Sequence, residues 1–216
     1  MKIYAIYGAG GFGGQVYSFL KLNKSIDFSQ TLIYFIDDNF HAEYLFNRPI
    51  LSYKEFLKLD ASEKYVNVAI ANSKIREKIN HQLMEDAIPT FQVISDNSVI
   101  LSDITKSSGL IASPFSIISS NIEMGDSCHI GFHTSISHDC KIGNYVTFAT
   151  GARCNGNVFI EDHAYVGSGA VVKNGNSERP LIIGKGAIVG MGAVVTKDVP
   201  AGVTVVGNPA RPLIKN

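Results

Sequence analysis

Apolar residues recur every six positions through the second half of the chain. The positions are Ala112, Ile118, Met124, Ile130, Ile136, Ile142, Phe148, Cys154, Ile160, Val166 and Val172, and after one interruption Ile183, Val189 and Val195. No α-helix repeats every six residues, and a plain strand alternates every two. A period of six instead predicts a triangular coil in which each flat wall takes six residues. The sequence therefore predicts a left-handed parallel β-helix of hexapeptide repeats over residues 97–216.

Two further positions in each repeat are restricted. The residue four places after the large apolar one is usually small and apolar or a small hydroxyl: Ser116, Cys128, Thr134, Cys140, Val146, Ala152, Val158, Ala164, Ala170, Ala187 and Ala193. Glycine often follows the large residue directly, at Gly125, Gly131, Gly143 and Gly167. We expect the large residue to fill the axis of the coil and the small one to fit its corner. The glycine is expected to supply backbone angles that a side chain would forbid.

The first half of the chain has a different pattern. Short apolar runs predict strands at 3–7, 31–36, 65–70 and about 90–94. Helical spacing follows the first strand through 15–23 and follows the third at about 73–85. This alternation predicts a small Rossmann-like domain over residues 1–96, with a parallel sheet and crossover helices.

A glycine motif directly follows the first predicted strand. Gly8, Gly10 and Gly13 form G-x-G-x-x-G, and Asp37 ends the second strand, near the separation expected for an acidic partner of the motif. Such glycines let the backbone approach a diphosphate at a helix N-terminus, and the acidic residue can accept a ribose hydroxyl. A structural turn with incidental glycines is the alternative. A nicotinamide dehydrogenase is a second alternative, but the sheet ends near residue 95, and one half-site suits a nucleotide-sugar better.

Composition narrows the possible partners. The 19 basic and 19 acidic residues give a net charge of zero, so nothing indicates a nucleic-acid partner. No apolar run approaches the ~20 residues of a membrane span, and the N-terminus has no signal-peptide pattern, which predicts a cytoplasmic protein. Cys128, Cys140 and Cys154 fall on core or corner positions of the coil and are expected to be buried thiols.

The whole chain resembles the sugar acetyltransferases of the PglD and NeuD type, which belong to the hexapeptide-repeat acyltransferases. The resemblance rests on YGAGGFG at 7–13, FIDD at 35–38, ANSKIREK at 71–78, SHDCKIG at 137–143, GARCNGNV at 151–158 and VGNPAR at 206–211. It implies an acetyl-coenzyme A-dependent N-acetyltransferase acting on a nucleotide-linked amino-sugar for surface glycan biosynthesis. The expected acceptor is a UDP- or dTDP-linked 4-amino-4,6-dideoxy sugar, and the expected assembly is a homotrimer.

The resemblance also implies roles for individual residues. His138 would be the general base, Asp139 would orient it, and the N–H of Gly156 would face the thioester carbonyl. Histidine is the natural base near neutral pH. His129 and His133 lie close to His138 in sequence, but a coil of period six puts them on different faces or levels, so no metal site is expected.

Two binding sets follow from the same resemblance. For acetyl-coenzyme A they are Ser168, Gly190, Met191, Gly207, Asn208 and Pro209. For the nucleotide-sugar they are Gly8, Gly10, Gly11, Phe12, Gly13, Asp37, Asp38 and Asn72.

Three positions depart from the family pattern. Phe12 and Thr147 stand where family members often have histidine, and Gly131 stands where they often have asparagine. The identity of the sugar and the choice between N- and O-acetylation therefore stay open. The alternatives are a sugar O-acetyltransferase of the sialic-acid type and a non-catalytic scaffold that binds a nucleotide-sugar.

The repeat is interrupted once. Val172 and Ile183 are eleven residues apart instead of six, so five extra residues should leave the coil within 173–182. Loop-forming residues fill this segment. The loop is predicted either to border the coenzyme A groove, where Arg179 could meet a phosphate, or to be a surface insertion without a role.

Overall fold

A computed structural model describes residues 2–20, 31–40 and 42–214. The chain divides into two compact units, Met1–Asp96 and Asn97–Asn216. None of the helices in these described ranges is long and apolar enough to cross a membrane.

The first unit is built on a five-stranded sheet in the order β3-β4-β2-β1-β5. Its strands are β1 (Lys2–Tyr7), β2 (Thr31–Ile36), β3 (Tyr44–Leu45), β4 (Arg48–Leu51) and β5 (Glu63–Val68). Its helices are α1 (Gly11–Leu20), α2 (Tyr53–Lys58) and α3 (Ser73–Glu85), and a two-residue strand, β6 (Val93–Ile94), follows. The strands β1, β2, β4 and β5 are parallel, and only β3 runs against its neighbour β4. The sheet therefore presents the carboxyl ends of its parallel strands at one edge.

The predicted Rossmann-like pattern is confirmed, with local differences. The hairpin of β3 and β4 and the short helix α2 were not anticipated. The third predicted strand lies two residues earlier than expected, and the fourth is reduced within this sheet to an isolated bridge between Thr90 and Val66. The predicted extension of the first helix beyond Leu20 lies outside the described residues.

The second unit is the predicted left-handed parallel β-helix. Its strands are β7 (Val99–Ile100), β8 (Ile111–Ala112), β9 (Ile117–Ile118), β10 (Glu123–Met124), β11 (His129–Ile130), β12 (Ser135–Ile136), β13 (Lys141–Ile142), β14 (Thr147–Phe148), β15 (Arg153–Cys154), β16 (Val158–Ile160), β17 (Tyr165–Val166), β18 (Val171–Val172), β19 (Leu181–Ile183), β20 (Ile188–Val189), β21 (Val194–Val195), β22 (Thr204–Val206) and β23 (Arg211–Pro212).

These strands form three walls. The first wall contains β8, β11, β14, β17, β20 and β22, with β23 antiparallel to β22 at its end. The second wall contains β7, β9, β12, β15, β18 and β21, and the third contains β10, β13, β16 and β19. Ser135 pairs with Arg153, three repeats further along the chain, so one coil consists of three hexapeptide repeats. Residues in the same place on successive coils therefore stack along the axis.

The interior confirms the pattern of apolar positions. The residue at each six-residue position is buried, apart from Met124, which is partly exposed. All eleven of the small corner residues predicted from the sequence are buried as well. Each coil thus buries one large side chain per wall on the axis and one small side chain per corner, and this burial supplies most of the stabilisation that a solenoid of short strands can have.

The reason expected for the repeat glycines is wrong. Gly125, Gly131, Gly143 and Gly167 do not have a positive φ; a Cβ at any of them would lie within 2.8 Å of the backbone of the next coil. They are required because the coils approach closely. The left-handed position lies two residues later, where φ is positive at every repeat from Phe115 to Gly169.

Candidate active site

A histidine–carboxylate pair lies at the corner between the second and third walls. This second corner contains residues 119–122, 137–140, 155–157 and 173–180 on successive coils. The Nδ1 atom of His138 lies 2.6 Å from Oδ2 of Asp139. Asp139 is in the left-handed conformation with φ 58°, which aspartate tolerates better than most residues. The side chains are 58% and 43% exposed, so the pair is open to a ligand.

The imidazole of His138 lies directly on the backbone of Gly156, one coil further along. A Cβ built on Gly156 would be 2.6 Å from Cε1 and 2.8 Å from Nε2 of the ring. Only glycine therefore leaves the ring of His138 in this position. No acceptor in the described part of the chain takes the N–H of Gly156. The structure thus brings the three predicted catalytic residues together at one corner.

Asp139 is held from the preceding coil as well. Its Oδ1 atom accepts a hydrogen bond of 2.6 Å from Nδ2 of Asn121. This bond, and after it the bond with His138, lowers the pKa of the Asp139 carboxyl below its usual value. No sequence motif singles out Asn121, although it lies one coil before Asp139 along the chain.

The predicted acetyl-coenzyme A residues lie in a different column. They occupy the corner between the first and second walls, in residues 167–170, 190–193 and 207–210 of successive coils. A Cβ on Gly167 would meet the backbone N of Met191 at 2.7 Å, and Val194 N donates to Gly207 O at 2.9 Å. The three successive coils are therefore in contact in this column. Met191 is 82% exposed. The second wall separates this first corner from the corner that holds His138, so a single chain does not bring the two sets together.

The interruption of the repeat emerges from the same corner as His138. Val158 pairs with Leu181, which lies five residues beyond the partner that a regular coil would give, so the extra residues leave the coil between these strands. Gly175 N donates to Gly156 O at 3.0 Å, which puts the loop one coil beyond Gly156. The Oδ1 atom of Asn176 accepts from the backbone of Glu178 and Arg179 and closes the loop on itself. Three basic residues, Lys173, Arg179 and Lys197, line the groove of about 760 Å³ beside it.

The glycine loop of the first unit meets the geometric requirements of its motif. A Cβ on Gly13 would lie 1.7 Å from Gly8 O, so the helix can begin this close to the strand only with glycine. Gly8 has φ 115° and its N–H donates to Ile36 O at 2.7 Å. At Gly10 and Gly11 the space beyond Cα is open. The N-terminus of α1 therefore has room for an anionic group.

The two aspartates at the end of β2 already have partners inside the protein. Asp37 accepts from the backbone N–H of Ala9 at 2.9 Å and of Asn39 at 3.0 Å. Asp38 accepts from Tyr53 N at 2.9 Å and from the hydroxyl of Tyr7 at 2.5 Å. Burial, and then the bond to Asp38, raises the pKa of Tyr7, so this hydroxyl stays a donor. The pair fixes the loop after β2 against the glycine loop.

Asn72 caps a helix. Its side-chain oxygen accepts from Lys74 N at 3.0 Å and Ile75 N at 3.1 Å, so it begins α3 at the edge of the sheet that also carries the glycine loop. The nucleotide-sugar set predicted from the sequence is thus collected at the carboxyl ends of β1, β2 and β5.

The three positions that depart from the family pattern lie on a helix, at a corner of the coil and on one of its walls. Phe12 is the second residue of α1. Gly131 begins a corner, where a Cβ would lie 2.7 Å from Thr150 N, so a larger residue does not fit on this backbone. Thr147 lies on the first wall, where it pairs with His129 on one side and Tyr165 on the other.

The two histidines that lie close to His138 in sequence are in different parts of the coil. His129 is buried in a strand of the first wall, whereas His133 stacks on Phe115 at a corner with ring centroids 5.1 Å apart. Within residues 2–20, 31–40 and 42–214, no group of three or more His, Cys, Asp or Glu side chains could hold a metal ion. Cys128, Cys140 and Cys154 are buried thiols, as expected from their core and corner positions.

Comparisons with known proteins cover both units. Residues 4–83 match the family model described as the PglD N-terminal domain. The chain is 46% identical to a GDP-perosamine N-acetyltransferase from Escherichia coli O157:H7 over 98% of this chain and 96% of that protein.

Among solved structures, WeeI from Acinetobacter baumannii AYE aligns with a TM-score of 0.92 and 49% identity, over 99% of this chain and 100% of that one. An acetyltransferase domain of PglB from Neisseria gonorrhoeae FA1090, solved with acetyl coenzyme A, has the same fold, with a TM-score of 0.81, 24% identity and 98% of each chain covered.

Proposed function

Because the chain belongs to the PglD-type sugar acetyltransferases, hexapeptide-repeat enzymes that use acetyl-coenzyme A as co-substrate, we propose that it N-acetylates a GDP-linked 4-amino-4,6-dideoxy sugar. The observation that carries this proposal is the His138 imidazole, bonded to Asp139 at 2.6 Å and lying on Gly156. The relative that is 46% identical over almost the whole chain is named for GDP-perosamine. We therefore favour a GDP-linked acceptor over the UDP- or dTDP-linked sugar expected from the sequence.

The chemistry follows from the two sides of the imidazole. Since Nδ1 donates to Asp139, Nε2 can accept a proton. The amine nitrogen attacks the thioester carbonyl as Nε2 takes its proton, and the Gly156 N–H stabilises the oxyanion. The C–S bond then breaks and the proton passes to the departing sulfur. The products are the N-acetylated sugar and coenzyme A.

We assign the nucleotide part of the acceptor to the glycine loop. Its diphosphate would bind the N–H groups at the start of α1, where Gly10 and Gly11 leave open space. Asp37 and Asp38 would then act mainly by holding the neighbouring loops, with any contact to the nucleoside in addition to the bonds they already make.

A homotrimer completes the site in this proposal. The acetyl-coenzyme A column and His138 lie at different corners of one chain, so one subunit would supply His138 and its neighbour the column that includes Ser168 and Met191. The high exposure of the apolar Met191 side chain fits a position against another subunit. Light scattering should give a trimer of the 23.4 kDa chain. A fully active monomer would contradict this assembly.

The cellular role follows from the substrates. Acetyl-coenzyme A and nucleotide-activated sugars are intracellular metabolites, so we place the reaction in the cytoplasm, where its product would enter surface glycan biosynthesis.

The function is tested by incubating the purified protein with acetyl-coenzyme A and matched GDP-, UDP- and dTDP-linked amino-sugars. Mass spectrometry should show one added acetyl group on the GDP-linked 4-amino sugar, and the corresponding 4-hydroxy sugar should stay unmodified. Acetylation of the hydroxy sugar would replace the proposal with O-acetylation. Preferential turnover of a UDP- or dTDP-linked amine would overturn only the nucleotide assignment.

A further inference from the structure

The second corner contains a hydrogen bond that no part of the proposed mechanism requires. We propose that Asn121 is a positioning residue that acts on His138 through Asp139. The inference rests on the proposed function, since it gives His138 the role of base. Nδ2 of Asn121 donates to Oδ1 of Asp139 at 2.6 Å, while the other carboxylate oxygen lies 2.6 Å from His138. The two bonds fix both the plane and the direction of the carboxylate.

The solenoid places Asn121 where it can make this bond. The regular coil stacks Asn121, Asp139 and Asn157 in one column, with φ of 57°, 58° and 57°. The same position on other coils is also left-handed and holds Phe115, Ser127 and Tyr145, so the backbone alone does not select asparagine. Asparagine adopts this conformation readily and adds a neutral amide donor. Glycine would lack that donor, and aspartate would place a second carboxylate against Asp139.

The backbone at this corner is fixed by the coils on either side. Asp139 N donates to Ser120 O at 3.3 Å, and Asn157 N donates to His138 O at 3.1 Å. Because the main chain is held, the remaining freedom of the pair lies in the side-chain rotations. Asn121 restricts that freedom for Asp139, and Gly156 restricts it for the ring.

Neighbouring charges do not provide an alternative partner. Glu123 and Lys141 line the groove of about 610 Å³ beside Asp139, but Lys141 is paired with Glu123 at 3.0 Å. Cys140, the adjacent residue, points its thiol to the backbone oxygen of Asn155 at 3.2 Å. The neutral donor of Asn121 is therefore the contact that holds Oδ1.

The test uses Asn121→Gly, which keeps the left-handed backbone and removes the donor. We expect kcat to fall about 3- to 10-fold, a modest loss because the bond is exposed, with both KM values unchanged. Carbon-13 NMR of labelled aspartate, with the Asp139 signal assigned by its absence in Asp139→Asn, should show the Asp139 pKa rising. Asn121→Asp should lose more activity than Asn121→Gly, because it replaces attraction by repulsion.

Two controls separate positioning from general loosening of the corner. Ser127→Gly changes another left-handed corner residue, with φ 52°, and should keep the wild-type kcat. In the Asp139→Asn background, Asn121→Gly should cause no further loss, because its effect passes through Asp139. An equal loss in that background, or in Ser127→Gly, would overturn the inference.

The failure of the inference and that of the proposed function give different results. If His138→Ala loses activity while Asn121→Gly keeps the wild-type kcat and Asp139 pKa, the positioning role is wrong and the base stands. If His138→Ala keeps the wild-type turnover, the proposed base is wrong, whatever Asn121→Gly does to the Asp139 pKa.

Discussion

Gly156→Ala should displace the imidazole of His138 with a single methyl group. The new Cβ would lie 2.6 Å from Cε1, 2.8 Å from Nε2 and 3.1 Å from Nδ1 of His138. Carbon atoms in contact need about 3.5 Å or more, so the ring must retreat by about 1 Å. Such a movement would disturb the Nδ1–Oδ2 bond to Asp139, which is now 2.6 Å long and tolerates little lengthening.

The expected cost follows from that displacement. A misplacement of about 1 Å in a catalytic group costs on the order of 10²-fold in rate, or about 2.7 kcal/mol of transition-state stabilisation. Alanine retains its backbone N–H, so the loss would report the ring position and not the oxyanion contact. The half-exposed ring can swing into solvent, so the thermal midpoint should change little. Initial rates of coenzyme A release would give kcat, and the KM for acetyl-coenzyme A should stay near its wild-type value.

A matched control should lower the stability of the protein and leave its kcat unchanged, the opposite of what Gly156→Ala is expected to do. Gly202→Ala adds a methyl group into open space at another corner but has φ 71°, so it should cost about 1 kcal/mol of stability and leave kcat unchanged. In a His138→Ala background, Gly156→Ala should cause no further loss of activity. A Gly156→Ala enzyme with kcat within about twofold of wild type would refute the reasoning, because the ring would not be the group that the methyl group displaces.

Three other changes test the assignments. His138→Ala should lower kcat by roughly 10² to 10⁴, the usual contribution of a general base, and Asp139→Asn by less because it only orients the ring; unchanged kcat in His138→Ala would move the base elsewhere. Asp38→Ala should raise the KM for the sugar and leave the KM for acetyl-coenzyme A unchanged, because it loosens the loop beside the glycine motif. Steady-state kinetics would measure both values, and the reverse pattern would put acetyl-coenzyme A on the first unit. Replacing residues 174–178 with one Gly should weaken acetyl-coenzyme A binding in calorimetry and spare the nucleotide, whereas normal affinity for both in an intact trimer would leave the loop without a binding role.

The sequence by itself determined the architecture of the solenoid. A period of six is incompatible with a helix or a flat sheet, so the pattern from Ala112 to Val195 specified the axis residues, the corners and the place where the loop leaves. It was sufficient because each coil repeats the same contacts at a fixed separation of three hexapeptide repeats. In the first unit β1, β2, β5 and the glycine motif could also be predicted, since these follow from local pattern.

Other features required the tertiary structure. The hairpin of β3 and β4 has too few residues to show a period, and the repeat glycines were assigned the wrong requirement because close approach between coils is not a local property. That Asp37 and Asp38 are already bonded to Ala9 and Tyr53 depends on loops brought together by the sheet.

The candidate site divides in the same way. Sequence similarity identified His138, Asp139 and Gly156 by their motifs. The spacing of one coil placed Asn121 in the same column, but only the rotamers in the folded chain decide that its amide reaches Asp139 and that the ring of His138 rests on Gly156. Likewise, the repeat assigns Ser168 and His138 to different corners. Only the tertiary structure shows that one wall lies between these corners, so a single chain does not bring the two residues together. The periodicity of the backbone is determined by the order of residues along the chain, whereas the direction of a side chain depends on neighbours that only folding brings close.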